Sequence, residues 1–266
     1  MPELPEVETI KRDLEKIVLG RKIAEVCVHN SRVVREPGVA GFKKGLEGAT
    51  IKNILRRAKL LILELTNDKS LAVHLKMTGQ FVYPGGGKNS RVVFHFSGGK
   101  ILDFNDQRLF AELRLLDDWH ALKFIQKLGP EPLDLNLRQF KEMLDKKKTA
   151  IKPLLMDQAF IAGIGNIYAS EILFRAGIHP ERRANSLTDK EKELLFKAIN
   201  DILNAAIEHA GSSVDDYVRV SGEKGGYVKY HKVYGREGKG CLACKTTINK
   251  ISQGGRGTYF CPKCQK

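Results

Sequence analysis

Residues 241–264 read CLACKTTINKISQGGRGTYFCPKC and hold four of the chain's five cysteines. Cys241-x2-Cys244 and Cys261-x2-Cys264 enclose sixteen residues, a spacing that places four thiolates around one Zn²⁺ in a closed tetrahedral shell. No position remains for water, so the expected cofactor is a single structural zinc. Between the knuckles, KTTINKISQ and TYF have the content of two strands, joined by Gly254-Gly255-Arg256-Gly257. The metal fixes a hairpin with Arg256 at its tip, among glycines that let the backbone approach a partner closely. From Cys241 to Lys266 there are five basic residues and no acidic one, so the hairpin stays positive beside a zinc site of about −2. A solvated basic face explains that charge too; contact of Arg256 with a phosphate or groove is preferred.

The whole chain shares this bias. Its 266 residues carry 45 Lys and Arg against 31 Asp and Glu, a formal charge of +14, which implies attraction to a polyanion. Charge alone does not separate nucleic acid from an anionic membrane surface. The longest apolar runs, such as LLILEL, are too short to span a bilayer, and Glu3, Glu6 and Glu8 stand where a signal peptide carries basic residues. A cytoplasmic, membrane-free protein is expected, where clustered cysteines bind metal and do not form disulfides. The fifth cysteine, Cys27, lies in a strand-like run and reads as a buried hydrophobe.

Working upstream, residues 211–240 (GSSVDDYVRVSGEKGGYVKYHKVYGREGKG) are too long and polar for an ordinary connection, and read either as a mobile functional loop or as a linker. Helical periodicity marks LRQFKEMLDKK, IKPLLMDQAF, NIYASEILFRAG and the stretch from Leu187 to His209. LGPEPLD (128–134), with two prolines, reads as a linker. Ahead of it come KIAEVCVH, ATIKNIL, LLILEL, SLAVHL, QFVY, RVVFHF and KILDF, separated by TNDKS, PGGGKNS and SGGK, which suit antiparallel connections. Val7, Ile10, Leu14, Ile17 and Val18 recur at helical spacing from Pro5 onward. The expected fold is therefore α+β and multidomain. Residues 1–130 are expected to form an antiparallel β-sandwich with one leading helix, 131–225 a helical domain, and 226–266 the zinc-finger hairpin.

Two motifs carry candidate chemistry. FIAGIGNIYASEILFRAGIHP (160–180) sets Gly163, Gly165 and Asn166 before a helix, but Tyr168 replaces the third glycine of a dinucleotide fingerprint and no strand precedes it. What remains is a helix, a tight turn and a second helix, with Asn166 as N-cap and backbone N–H groups facing outward, suited to a phosphate. Capping alone explains Asn166 equally well. The second motif is MPELPEVETI (1–10). Trimming of Met1 leaves a secondary amine at Pro2. With a reference pKa of about 7.7–8.0 against about 10.4 for Lys, its unprotonated fraction at neutral pH is roughly a few hundred times larger. Such an amine attacks an electrophilic sugar carbon and forms a charged iminium, while Glu3 moves protons and Glu6 orients the leaving group or sugar. Lys59 in RRAKLL is a candidate cation beside it. Pro and Glu also suit the first turn of any helix without chemistry.

MPELPEVE, KTAIKPLLMDQAFIAGIGNIYASEILFRAGIHP and GGRGTYFCPKC, in that order along essentially the whole chain, resemble the bacterial formamidopyrimidine-DNA glycosylase family. The resemblance implies a β-sandwich, a helix-two-turn-helix module and a zinc hairpin, with duplex DNA containing oxidised bases or abasic sites as partner, and a monomer. It implies that Pro2 attacks C1′, expels an oxidised purine and passes through a Schiff base to β,δ-elimination, with Glu3 at the catalytic acid position and Lys59 at the position used near the phosphate and in base release. Glu6 and Glu171 match supporting carboxylates; His74, Asn166 and Arg256 match phosphate contacts. Met77, Arg108 and Phe110 match the wedge that fills the gap left by an extruded base, although pattern alone would put Met77 and Phe110 in the core. The family usually has D-x-R-[RK]-F-G where this chain has DQRLFAE, so Leu109 replaces a cation and Ala111 a glycine. Arg91, counted among the DNA contacts, stands where several members have His, and Gly257 stands where Ala or Ser is common.

Two alternatives share these modules. An endonuclease VIII-type glycosylase for oxidised pyrimidines usually begins with glycine where this chain has Leu4. A non-catalytic zinc-containing DNA-binding protein uses the same glycine turn and hairpin, and only Pro2 and Glu3 separate it from an enzyme.

Overall fold

The stripe of Val7, Ile10, Leu14 and Val18 is buried along one side of the first helix, α1 (Leu4–Val18), as its periodicity requires. The computed structural model describes residues 1–87 and 90–266; Lys88 and Asn89 of the turn tract PGGGKNS lie outside the described residues. The chain forms two compact units, Met1–Gln126 with Ile207–Val228, and Lys127–Ala206 with Lys229–Lys266. Among the described residues no helix is long and apolar enough to cross a membrane.

In the first unit, α1 leads to β1 (Ile23–Val28), β2 (Val34–Glu36), α2 (Val39–Leu46), β3 (Ile51–Arg57), β4 (Leu60–Leu65) and β5 (Ser70–His74). Then follow β6 (Gly79–Val82), β7 (Val92–Phe96), β8 (Ile101–Asp106), β9 (Glu112–Leu116) and α3 (Lys123–Gln126). One sheet has the order β1-β7-β8-β6 and the other β2-β9-β5-β4-β3, antiparallel throughout except for β2 beside β9. Val26, Phe94 and Phe104 from the first sheet and Ile54, Leu63, Val73 and Leu113 from the second join α1 in one core, each side chain worth roughly 1.5–3 kcal/mol of burial.

The sandwich carries more than the single helix expected. VAGFKKGL of α2 was hidden by its two glycines and by Pro37 just before it, both poor helix signals. Gly45 is there for packing: a Cβ would lie 2.4 Å from Leu115 Cδ2 of β9. Strands β2 and β9 were also unread, β9 because ELRLL carries charges between its buried Leu113 and Leu115. Cys27 is half-buried, a correction to its reading as a core hydrophobe, since β1 turns it away from Val26.

The segment that returns to this unit is not a free linker. Tyr217 is buried and its hydroxyl donates to Ala210 O at 3.1 Å, while Arg219 grips both oxygens of Asp13 at 2.7 and 3.1 Å. Residues 207–228 cluster with this unit, and the Arg219–Asp13 pair is one of the contacts that tie them to α1.

The second unit contains α4 (Leu137–Asp145), α5 (Ile151–Met156), α6 (Asn166–Ala176), α7 (Asp189–Glu208, up to Ala206) and a hairpin of β10 (Asn249–Gln253) and β11 (Arg256–Phe260). Asn136 and Gln139 form the capping box that starts α4, and left-handed Gly177 ends α6. Gln158 holds the α5–α6 turn, accepting from Gly163 N and donating to Met156 O and Ile164 O, each at 2.8 Å. Two corrections arise here. Gly165, not Asn166, is the N-cap of α6, and Asn166 is its first residue. The hairpin turn is Gly254-Gly255 alone, both at positive φ, so Arg256 opens β11 opposite Gln253.

Candidate active site

Pro2 is buried under an exposed Met1, and Glu3 follows it as N-cap of α1. Glu3 N–H donates to Glu6 Oε2 at 2.8 Å and the Glu3 side chain accepts the Glu6 N–H, a reciprocal capping box. The other Glu6 oxygen, Oε1, accepts Ser212 N–H at 2.8 Å. Gly211 makes this approach possible: it has φ +77°, and a Cβ would stand 2.7 Å from Oε1. Both carboxylates are buried, so two acids are fixed in place within four residues of Pro2 along the chain. The capping role that the sequence allowed for Glu3 and Glu6 is present.

Lys59 is buried in the tight turn between β3 and β4, where Arg57 pairs with Leu60. Ala58 before it takes φ +52°, a left-handed conformation costing about 1–2 kcal/mol. Arg56 holds that turn, donating to Ala58 O at 3.1 Å and to Glu8 Oε2 at 3.0 Å.

His74 ends β5. Its Nδ1 accepts the Lys76 N–H at 3.1 Å, so the proton of the neutral ring sits on Nε2. Burial first, and then the Lys76 cation, lower its pKa to about 4, so at neutral pH the ring is uncharged.

The wedge candidates are more open than pattern reading expected of a core. Phe110 is 50% exposed and Met77 half-buried; the Arg108 guanidinium lies 4.9 Å from the Phe110 ring centroid. Asp106, at the end of β8, organises both segments. Its Oδ1 accepts from Thr78 Oγ1 and from Arg108 N at 3.2 Å, and its Oδ2 accepts Ala111 N–H at 2.7 Å. Thr78 Oγ1 in turn accepts Arg108 N–H at 3.1 Å, and Arg91 Nε donates to Asp106 O at 3.0 Å. Leu109 takes φ +57° and packs against the core, and Ala111 is fully buried. The two departures from the family pattern thus fall in a loop whose backbone Asp106 restrains.

In the second unit, Lys152 is 1% exposed and donates to Asn166 Oδ1 at 2.6 Å and Thr258 Oγ1 at 2.8 Å. Asn166 Nδ2 donates to Gly257 O at 3.1 Å, which ties the start of α6 to the hairpin strand that carries the exposed Arg256. Glu171 is buried and accepts three backbone N–H groups, from Lys232 at 2.8, Val233 at 3.0 and Tyr234 at 2.8 Å. Burial pushes its carboxyl up against the opposing pull of those donors. Asp106 and Lys152 were both missed by sequence reading. A charged residue inside an apolar period, as in AIKPLL, was the available signal for Lys152.

The four sulfurs of Cys241, Cys244, Cys261 and Cys264 lie within 4.8 Å of one another. Cys241 to Cys264 is 3.9 Å and Cys244 to Cys261 3.4 Å, against about 3.8 Å for a regular tetrahedron with Zn–S bonds of 2.3 Å. Lys245 N–H to Cys241 O and Gln265 N–H to Cys261 O close the two knuckles. The site fits one structural Zn²⁺, with no vertex left for substrate.

Comparison with known proteins gives the same three parts. Residues 1–113 match the formamidopyrimidine-DNA glycosylase N-terminal domain, 128–218 the formamidopyrimidine-DNA glycosylase H2TH domain, and 238–266 the zinc finger found in FPG and IleRS. A formamidopyrimidine-DNA glycosylase from Pelotomaculum thermopropionicum is 44% identical over 274 residues, covering 100% of this chain and 99% of the relative. A Lactococcus lactis FPG mutant solved with a Fapy-dG containing DNA superposes with TM-score 0.90 at 38% identity, over the full length of both chains. MutM solved in complex with carbocyclic 8-oxo-G containing DNA gives 0.88 at 38% identity, again over both full lengths.

Proposed function

The chain belongs to the formamidopyrimidine-DNA glycosylase family, and from that premise we propose how its residues divide the chemistry. It is a base-excision repair enzyme, a bifunctional DNA glycosylase and abasic-site lyase that acts on oxidised purines in duplex DNA. Removal of Met1 frees the Pro2 secondary amine. That nitrogen bonds to C1′ of the damaged nucleotide, the glycosidic bond breaks, and the base departs with a proton supplied through Glu3. The nitrogen then loses its proton and the C1′–O4′ bond breaks, O4′ taking up a proton, so the sugar opens to an iminium; loss of a C2′ proton expels the 3′ phosphate, and a second elimination with loss of the C4′ proton expels the 5′ phosphate. Glu6, held by Ser212 N–H, orients the sugar, and Lys59 serves the phosphate and base release.

The remaining assignments concern DNA. His74, Asn166 and Arg256 contact the backbone and Arg91 the DNA; Met77, Arg108 and Phe110 fill the space of the extruded base, whose unstacking costs a few kcal/mol. Glu171 acts at a distance, pinning residues 232–234. Residues 1–130, 131–225 and 226–266 serve as catalytic, helix-two-turn-helix and zinc modules of a cytoplasmic monomer.

The observation that carries this reading is the buried Pro2-Glu3-Glu6 group, with Glu6 shared between the Glu3 and Ser212 N–H groups. Borohydride trapping on a duplex containing 8-oxoguanine opposite cytosine tests it, alongside Pro2→Thr. A covalent adduct lost in the variant is expected. Duplex binding without an adduct in the wild type would leave only a DNA-binding protein, and stronger excision of thymine glycol would transfer the chain to the pyrimidine-specific relatives.

A further inference from the structure

On the outer face of the β1–β7 pair, Glu25 sits directly across from His95, and Cys27, two residues along β1, shares that face. Their donor atoms, a carboxylate oxygen, an imidazole nitrogen and a thiol sulfur, all lie within 4.8 Å of one another, with Cys27 Sγ 3.6 Å from Glu25 Oε1. All three are solvent-accessible in part: Glu25 is exposed, Cys27 and His95 half-buried. None belongs to the catalytic group, the wedge or the zinc knuckles.

We propose that Glu25, Cys27 and His95 form a second metal site, for a thiophilic divalent cation of the zinc class. Ligand bonds of about 2.0–2.3 Å in a tetrahedron bring donor atoms to roughly 3.3–3.8 Å from one another. The present spacing closes to that by side-chain rotation, while cross-strand pairing keeps the backbone positions fixed. The donor set selects the metal: a hard cation such as Mg²⁺ prefers oxygen, whereas one sulfur, one nitrogen and one oxygen suit Zn²⁺, Co²⁺ or Cd²⁺. On binding, the Cys27 thiol proton leaves to solvent, metal–sulfur, metal–nitrogen and metal–oxygen bonds replace bound waters, and the fourth position keeps a water. Glu25 and the thiolate balance the cation's charge; of the other charges around Cys27, Glu47 favours the cation and Lys43 opposes it. Three protein ligands at a surface bind more weakly than four buried thiolates, so this site fills only after the structural one.

The test uses the full chain with its structural zinc loaded and excess metal removed. Equilibrium dialysis against Zn²⁺ with metal analysis is expected to show one further ion per chain. Cys27→Ser and His95→Ala, each made separately, are expected to weaken that uptake at least about tenfold, because loss of even an outer-shell partner costs roughly 10–100-fold. Excision activity in both variants stays at wild-type level, which reports an intact zinc hairpin. With Co²⁺ as probe, a thiolate-to-cobalt absorption band appears in the wild type and is missing from Cys27→Ser. Absence of the extra ion, or an extra ion and cobalt band undiminished in Cys27→Ser, overturns the proposal; should Cys27→Ser fail to fold, undiminished uptake by His95→Ala overturns it alone.

Discussion

Asp106 touches no proposed substrate atom, yet its removal should disable base extrusion selectively. In Asp106→Ala, Thr78 Oγ1 and Ala111 N–H, both buried, lose their acceptor, whereas Arg108 N–H keeps Thr78 Oγ1 at 3.1 Å. At roughly 1–3 kcal/mol per buried donor left without its partner, the loss is about 2–6 kcal/mol, a large part of a typical stability of about 5–15 kcal/mol. Asp106→Asn is the sharper probe. Its retained oxygen still serves Thr78 and Arg108, and only the Ala111 bond is replaced, by two opposed N–H groups, for about 1–3 kcal/mol. That energy loosens the loop bearing Arg108 and Phe110. The assay compares single-turnover excision of 8-oxoguanine opposite cytosine with elimination at a preformed abasic site, and thermal unfolding monitors folding. Excision should fall about 10–100-fold, since 1.36 kcal/mol is a decade in rate, and elimination much less, because an abasic site has no base to extrude. Equal loss of both activities would reduce Asp106 to a stability residue, and unchanged excision would refute the coupling altogether.

Three further outcomes are expected. Gly211→Ala combines a left-handed backbone, about 1–2 kcal/mol, with a Cβ 2.7 Å from Glu6 Oε1, so the rate of borohydride-trapped adduct should drop while duplex affinity holds; an unchanged trapping rate would show that Glu6 can shift without consequence. His74 has its pKa lowered to about 4, so between pH 6.5 and 4 the unfolded chain takes up a proton that the folded chain refuses. The stability it contributes above pH 6.5 is lost as pH falls through that window, and His74→Asn should flatten the unfolding midpoint against pH there. Arg256→Ala should make the salt dependence of duplex binding shallower by about 0.9 in the log–log slope, read by titration at several ionic strengths, and stripping the zinc should abolish the contact by unfolding the hairpin.

Local signals were legible where one residue type settles the geometry. Paired cysteines announced the zinc hairpin, the 3.6-residue period of Val7, Ile10 and Leu14 announced α1, and the strands from Ile23 to Phe104, β2 apart, announced themselves by composition. The failures share a different cause. Helix α2 is held by packing that its glycines permit, β9 by neighbours on both sides, and neither is visible in a short window. Within the candidate site, Pro2, Glu3 and Glu6 were legible as a cluster in sequence, but the Ser212 N–H that holds Glu6 lies 206 residues away. Asp106 and Lys152 escaped for the same reason: each acts through partners that only folding brings near.

That 206-residue separation also sets a schedule. The nitrogen proposed as nucleophile emerges from the ribosome first, with Glu3 and Glu6 behind it. The Ser212 bond to Glu6 has to wait for the return of residues 207–228, roughly 10–40 s later at ~5–20 residues per second. Until then the chain carries the proposed nucleophile without the Ser212 bond that fixes Glu6.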